Sequence, residues 1–148
     1  MWSPEHDPVL GAVVPWYEAI DHPGAFQMGH LHALFESRPW HRLVPAPSFV
    51  LDGPAHGGAK VRAAVADDNS FAFVYSPRGE PFTVDKGRIS GSRIRAIWYD
   101  PRYGVAHAIH SANTGAIQTY TPPTSGRGQD WLLILEDADR AFRPIGIE

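Results

Sequence analysis

Acidic side chains are the first candidates for chemistry in this sequence of 148 residues. Cleavage of a glycosidic bond needs two carboxylates about 5–10 Å apart, flanking the bond. Glutamate occurs only as Glu5, Glu18, Glu36, Glu80, Glu136 and Glu148. Glu136 alone ends an apolar run beside further acids, Asp137 and Asp139. That trio reads as a solvated strand exit, and no catalytic carboxylate pair is assigned. Histidine is the next candidate. His30 and His32 lie two apart in a segment read as helix, where such side chains diverge by about 200°. His107 and His110 lie three apart near a strand end and split between faces unless a bulge intervenes. Both pairs read as exposed or packed histidines. Asp67-Asp68-Asn69-Ser70 comes nearest to a calcium loop, but it lacks the sharp-turn glycine and the later bidentate glutamate. It reads as a hairpin turn.

Other chemistries fall away on residue types. There is no cysteine, which excludes thiolate zinc sites, iron–sulfur clusters, disulfides and cysteine nucleophiles. No Gly-x-Ser-x-Gly elbow is present, since Ser90-Gly91-Ser92 and Ser125-Gly126 sit in turns. No glycine-rich phosphate loop opens a helix. No cofactor and no metal is expected. Aromatic side chains remain, with five Trp, five Tyr and seven Phe. Trp98, Tyr99 and Tyr103 surround one turn, with Arg93, Arg95 and Arg102 nearby. Such a group could stack a sugar ring or grip a peptide. Trp98 shares a face with Ile94 and Ala96 and reads as core. Tyr99, Arg102 and Tyr103 are therefore the candidate ligand-binding residues.

The elements that would position these residues follow from patterning. Net charge is −3, without the basic footprint of a nucleic-acid binder. No stretch approaches the roughly 18 apolar residues of a membrane span. Neither nucleic acid nor membrane is an expected partner. Met1 to Pro8 have no basic start and no apolar run, so no signal peptide is read there; cellular location stays open. Those residues resemble a loop that continues something upstream, and the expectation is the tail of a larger architecture. Residues 1–58 carry six acids against two bases and six of the eight histidines, whereas residues 59–148 carry ten acids against eleven bases. The shift falls at the turn-rich stretch Asp52-Gly53-Pro54-Ala55-His56-Gly57-Gly58. Two parts are expected: 1–58, a helical segment with linker, and 59–148, a β-sandwich.

In the first part, Pro15 to Asp21 suits a short helix. Pro23 then fits the first turn of a second helix capped by Asp21 or His22. From Gly24 to Arg38, Ala25, Met28, Leu31, Leu34 and Phe35 recur at spacings of three and four, one stripe of an amphipathic helix. Pro39 ends it. In the second part the period is two. Val61, Ala63 and Val65 share one face, Phe71, Phe73 and Tyr75 another, and Ile94, Ala96 and Trp98 a third. Phe82 to Val84, Val105 to Ile109 and Ala116 to Tyr120 are further strands. Trp131 to Leu135 is apolar throughout and reads as a central strand buried on both faces. Asp100-Pro101-Arg102-Tyr103-Gly104 is a turn, with Pro pre-setting φ and Gly supplying φ > 0. Gly and Pro number 14 each. About seven short strands with frequent turns predict a mostly β fold, an antiparallel β-sandwich preceded by a short helical segment.

Two runs together carry a family resemblance. Pro15-Trp16-Tyr17-Glu18-Ala19-Ile20-Asp21, Pro23-Gly24-Ala25, Gln27-Met28, Glu36-Ser37-Arg38-Pro39-Trp40 and Leu43-Val44-Pro45 resemble the end of the barrel in apiosidase-like glycoside hydrolases. Phe71 to Gly79, Val84-Asp85, Trp98 to Gly104, Tyr120-Thr121-Pro122-Pro123 and Asp130 to Leu135 resemble the C-terminal module of those proteins, named the "putative collagen-binding domain of a collagenase". Together they cover most of residues 12–137. Ala46 departs from the acid expected there. The resemblance implies a (β/α)8 barrel upstream whose strands hold the catalytic carboxylates, so no catalytic residue carries over.

The expected role is a non-catalytic accessory β-sandwich that packs against or supports a glycoside hydrolase barrel, in cis or separately encoded. Polysaccharide is a further candidate partner. The rival is a stand-alone binding module for carbohydrate or a collagen-like matrix protein; an exposed coplanar aromatic pair near Tyr99 and Tyr103 would favour it. With no barrel in this chain, apolar surface near Trp2, Trp16, Tyr17 or Phe26 should lie bare. Trp98 and Trp131 should be buried.

Overall fold

The computed structural model describes residues 15–110 and 115–146. Two helices lead: α1 (Trp16–Ala19) and α2 (Pro23–Glu36). Pro23 stands in the first turn of α2 behind an extended His22, which makes no side-chain cap. At the other end the Ser37 N–H bonds the Leu34 carbonyl at 3.2 Å, and Pro39 forbids a further turn. Among the described residues nine strands follow: β1 (Leu43–Pro45), β2 (Val50–Asp52), β3 (Arg62–Ala66), β4 (Phe71–Ser76), β5 (Phe82–Asp85), β6 (Ile94–Asp100), β7 (Val105–Ile109), β8 (Ile117–Tyr120) and β9 (Trp131–Asp137).

The strands form two antiparallel sheets, ordered β1-β3-β4-β9-β6-β7 and β2-β5-β8. The fold is the expected mostly β sandwich. The two strands beyond the expected seven are β1 and β2, each three residues long. Both precede residue 58 and pair with β3 and β5. They are too short and proline-flanked for an alternating pattern to register.

Between the sheets lies one core. Trp98 meets Phe82, Tyr120 and Trp131 edge to face, with ring centroids 6.0–6.4 Å apart. Such pairs add about 0.5–1.5 kcal/mol each beyond area burial. Val65, Ala72, Val74, Leu133 and Leu135 complete this layer. A second core covers the outer face of the large sheet: Phe71, Phe73, Tyr99, Leu132 and Ile134 pack under Leu34 of α2 and under Phe142 and Ile145 of the C-terminal segment. The fold is thus three layers deep. Both tryptophans are buried, and β9 is buried along its whole length. Strict alternation divides each central strand between the cores: Trp131, Leu133 and Leu135 face inward, Leu132 and Ile134 outward.

Two turns follow their sequence signals. In Asp67–Ser70, Asn69 takes φ 57° and Asp68 accepts the Ser70 N–H at 3.0 Å. Arg42 reaches Asp67 at 2.7 Å and Asp68 at 2.9 Å. In Asp100–Gly104, Gly104 takes φ 72° and its N–H bonds the Asp100 carbonyl at 2.8 Å. A Cβ on Gly104 would collide with the His30 imidazole, so glycine also lets α2 come close to this turn.

Candidate functional site

The three residues singled out for ligand binding do not form one surface. Tyr99 is 1% exposed. It lies on the outer face of β6, and its hydroxyl donates to the His30 carbonyl of α2 at 2.9 Å. Burial holds its hydroxyl above the ordinary phenol range. Alternation correctly opposes Tyr99 to Trp98, but the outer face is covered by helix rather than by water. Arg102 is clamped by a bidentate pair to Asp100 (2.8 and 2.6 Å) and by the Gly128 carbonyl at 3.2 Å. Its guanidinium lies 5.3 Å from the Trp131 ring centroid. Tyr103, 70% exposed, stands at the tip of the turn. The face shows no exposed coplanar pair of Tyr99 and Tyr103, because one member is inside.

The acidic trio is corrected by the structure. Glu136 is not a solvated exit: its side chain is wholly buried on the outer face of β9. Arg38, in the connection after α2, donates to its Oε2 from Nε at 3.0 Å and from Nη2. Arg95 donates to its Oε1 at 2.6 Å, from the facing register position on β6. Arg38 also donates to the Arg143 carbonyl at 3.0 Å and lies over the Phe142 ring. Desolvation lowers the Arg38 pKa from its ordinary value, and Glu136 opposes that shift. The other two buried acids among the described residues are also engaged. Asp100 holds Arg102, and Asp137 accepts the Asp139 N–H at 3.0 Å. Among the described residues, no three His, Asp or Glu side chains converge as a metal-binding group.

One open surface among the described residues is apolar. A groove of about 1240 Å³ runs along the outer edge of the large sheet. Leu31 and Phe35 of α2 line it together with Trp40, whose ring meets Phe35 edge to face at 6.1 Å; Leu51, Phe73 and Tyr75 line it as well. Trp40 and Leu51 are each 51% exposed. Tyr75 donates to Asp130 at 3.1 Å, and burial with that carboxylate pushes its pKa up to about 12. It therefore stays a neutral, amphipathic ring. His41, Asp52, Lys60 and Arg62 stand among the lining residues.

The groove continues onto α2. Stepping back three residues turns a helix by about 60° net. Along Leu34, Leu31 and Met28, exposure climbs from 3% to 38% to 64%. The apolar stripe therefore slants away from the sheet, and only its last turn is buried. Phe26, Tyr17 and Ile20 are exposed as well. Trp2 lies outside the described residues. The stripe was legible in sequence. The groove was not, because its lining comes from segments well separated in the chain.

Comparison with known proteins places this arrangement. A solved structure titled "Glycoside hydrolase" superposes with a TM-score of 0.82 at 26% identity, over 95% of this chain and 31% of that one. A glycoside hydrolase family 5 protein from Bacteroides vulgatus superposes with a TM-score of 0.79 at 24% identity, over 90% of this chain and 29% of that one. The chain thus spans less than a third of the length of these relatives in structure. No curated protein matches it. Residues 44–136 match the family described as "Putative collagen-binding domain of a collagenase". That stretch runs from β1 to the buried glutamate of β9, well over half of the sequence. The chain belongs to this family.

Proposed function

We propose that the chain is a non-catalytic accessory β-sandwich of a carbohydrate-active enzyme of the apiosidase-like kind. In this reading it packs against and supports a (β/α)8 glycoside hydrolase barrel, in cis or separately encoded. The observation that carries it is the uncovered apolar surface: a groove and a helix stripe that slants out of its own core. Exposed apolar patches beyond a few hundred Å² usually mark an interface. The engaged state of every buried carboxylate among the described residues supports a supporting rather than a hydrolytic role. So does the length of the structurally similar glycoside hydrolases, two-thirds of which this chain does not cover. We further propose a functional division at residue 58. Residues 1–58 join the barrel to the sandwich, while β1 and β2 within them complete the sheets.

The test has two arms. Purified chain is assayed on aryl glycosides and pectic oligosaccharides, with no turnover expected. The catalytic domain is then melted alone and together with the chain, and the joined form is expected to melt higher. Turnover that vanishes on changing one carboxylate would overturn the non-catalytic reading. An unchanged melt would overturn the supporting one.

A second reading has one observation behind it. The family's own description names a collagen ligand, and Tyr103 stands free enough to meet a matrix protein or polysaccharide. Of the three candidates only Arg102 and Tyr103 could take part, since Tyr99 is inside. Titration with collagen or with polysaccharide, and loss of any binding in Tyr103→Ala, would separate this reading from the first.

A further inference from the structure

We infer that the groove beside α2 receives an α-helix of the catalytic domain, held mainly by side-chain contacts. This rests on the accessory reading above and adds the kind of element that docks, and where.

A sheet edge normally invites another strand. Here the edge strand is β1, and its edge is blunted. The Asp67 N–H bonds the Arg42 carbonyl and the Ala46 N–H bonds the Ala63 carbonyl, each at 2.9 Å. By alternation, the backbones of residues 42, 44 and 46 face β3, and those of Leu43 and Pro45 face outward. The Leu43 N–H is already spent on the Trp40 carbonyl, and Pro45 has none. No N–H is left on this edge to hold an added strand. The outward Leu43 and Pro45 carbonyls could accept but nothing on β1 can donate, so side chains carry most of the recognition on this edge.

The groove wall indicates which kind. Met28, Leu31 and Phe35 follow at spacings of three and four. They form a ridge of the type that interdigitates with a neighbouring helix. Phe35 packs on Phe73 of the sheet, while Leu31 and Met28 turn progressively outward, so the leading part of the ridge is open to something beside the helix rather than beneath it. Trp40, edge to face with Phe35 at 6.1 Å, extends this wall, and Leu51 of β2 also lines the groove, both at about half exposure. Such aromatic and aliphatic anchors carry most of the energy of a helix-in-groove interface. Lys60 and Arg62 at the groove call for carboxylates flanking the helix's apolar face. The relatives in structure have ample chain to supply one, since over two-thirds of their length lies outside the match.

The test uses the full chain expressed with its catalytic domain. A benzophenone amino acid replaces Trp40, Leu51, Tyr103 or Ile117 in turn, and cross-linked peptides are sequenced. Tyr103 and Ile117 are exposed positions that do not line the groove. Cross-links from Trp40 and Leu51 to an amphipathic helical segment of the catalytic domain are expected, with none from the other two. In parallel, Leu51→Asp should weaken association with the catalytic domain at least tenfold, and Ile117→Asp less than twofold. Cross-links from the groove to a strand, a loop or a second copy of the chain would overturn the inference. Cross-links only from Tyr103 or Ile117 would overturn it too, while leaving the accessory reading standing. No cross-link to a glycoside hydrolase domain from any position would overturn both.

Discussion

Removing Arg38 should leave a buried charge without its main partner. Glu136 is wholly buried and Arg38 nearly so, at 2% side-chain exposure. Arg38→Met keeps the aliphatic stem and deletes the charge. Breaking a buried pair by removing one partner costs about 3–5 kcal/mol, because the other charge stays buried. Arg95 still faces Oε1 and is half exposed, which argues for the lower end, about 3 kcal/mol. In a domain of this size each kcal/mol moves Tm by about 2–4 °C, so a fall of roughly 6–12 °C is expected. The double variant Arg38→Met with Glu136→Leu removes both charges from the interior. Apolar replacement of a whole buried pair is neutral or stabilising in precedent systems. Arg95 then loses a partner at a half-exposed site, worth about 1 kcal/mol or less. The double variant should recover most of the loss. Urea unfolding of the parent, both singles and the double gives the coupling directly. Arg38→Met within about 1 kcal/mol of the parent would refute the reasoning. So would a double variant no better than the sum of its singles.

Three further outcomes are expected. Trp98→Ala deletes the ring that touches Phe82, Tyr120 and Trp131, costing about 3–5 kcal/mol; a melt within a degree or two of the parent would show that this inner core is not what holds the sheets together. The isolated chain should self-associate through its exposed leading segment, where Tyr17, Ile20, Phe26 and Met28 lie bare. Sedimentation should show this, with Phe26→Glu shifted toward monomer; a strictly monomeric parent at high concentration would contradict it. The Asp68 carboxyl is held below the usual range, first by its hydrogen bond with Ser70 and then by Arg42 and Arg140. A depressed carboxyl contributes stability above its unfolded pKa of about 3.9, lost as pH falls through the lower folded value. Asp68→Asn should therefore melt slightly below the parent at neutral pH and equal it in strong acid. A difference constant across that window would refute the assignment.

Reading the sequence succeeded where structure is local and failed where it is not. The phase of β3, β4, β6 and β9 follows from alternation. The turn at Asp100–Gly104 follows from one proline and one glycine. The apolar run Trp131 to Leu135 announces burial on both faces, which α2 and the C-terminal segment supply by covering the outer face. Tyr99 and Glu136 were misjudged for one shared reason. Both lie on the outer face of the large sheet, and alternation cannot tell a face covered by helix from one covered by water. Glu136 sits among acids in sequence, but its partner Arg38 is 98 positions away. β1 and β2 escaped because three residues beside prolines carry no period.

The place of β9 in the large sheet bears on how the chain is made. It lies between β4 and β6, yet it is the last strand synthesised among the described residues. Until Trp131–Asp137 leave the ribosome, β4 and β6 each present an unpaired apolar edge to solvent or to a chaperone. The nascent chain can close its local hairpins β3–β4 and β6–β7 early, since they pair neighbours in sequence. It cannot join them. A stalled or truncated product ending before residue 131 therefore has two sticky halves and no sheet. Quality control would meet it as an aggregation-prone intermediate rather than as a shortened but folded protein.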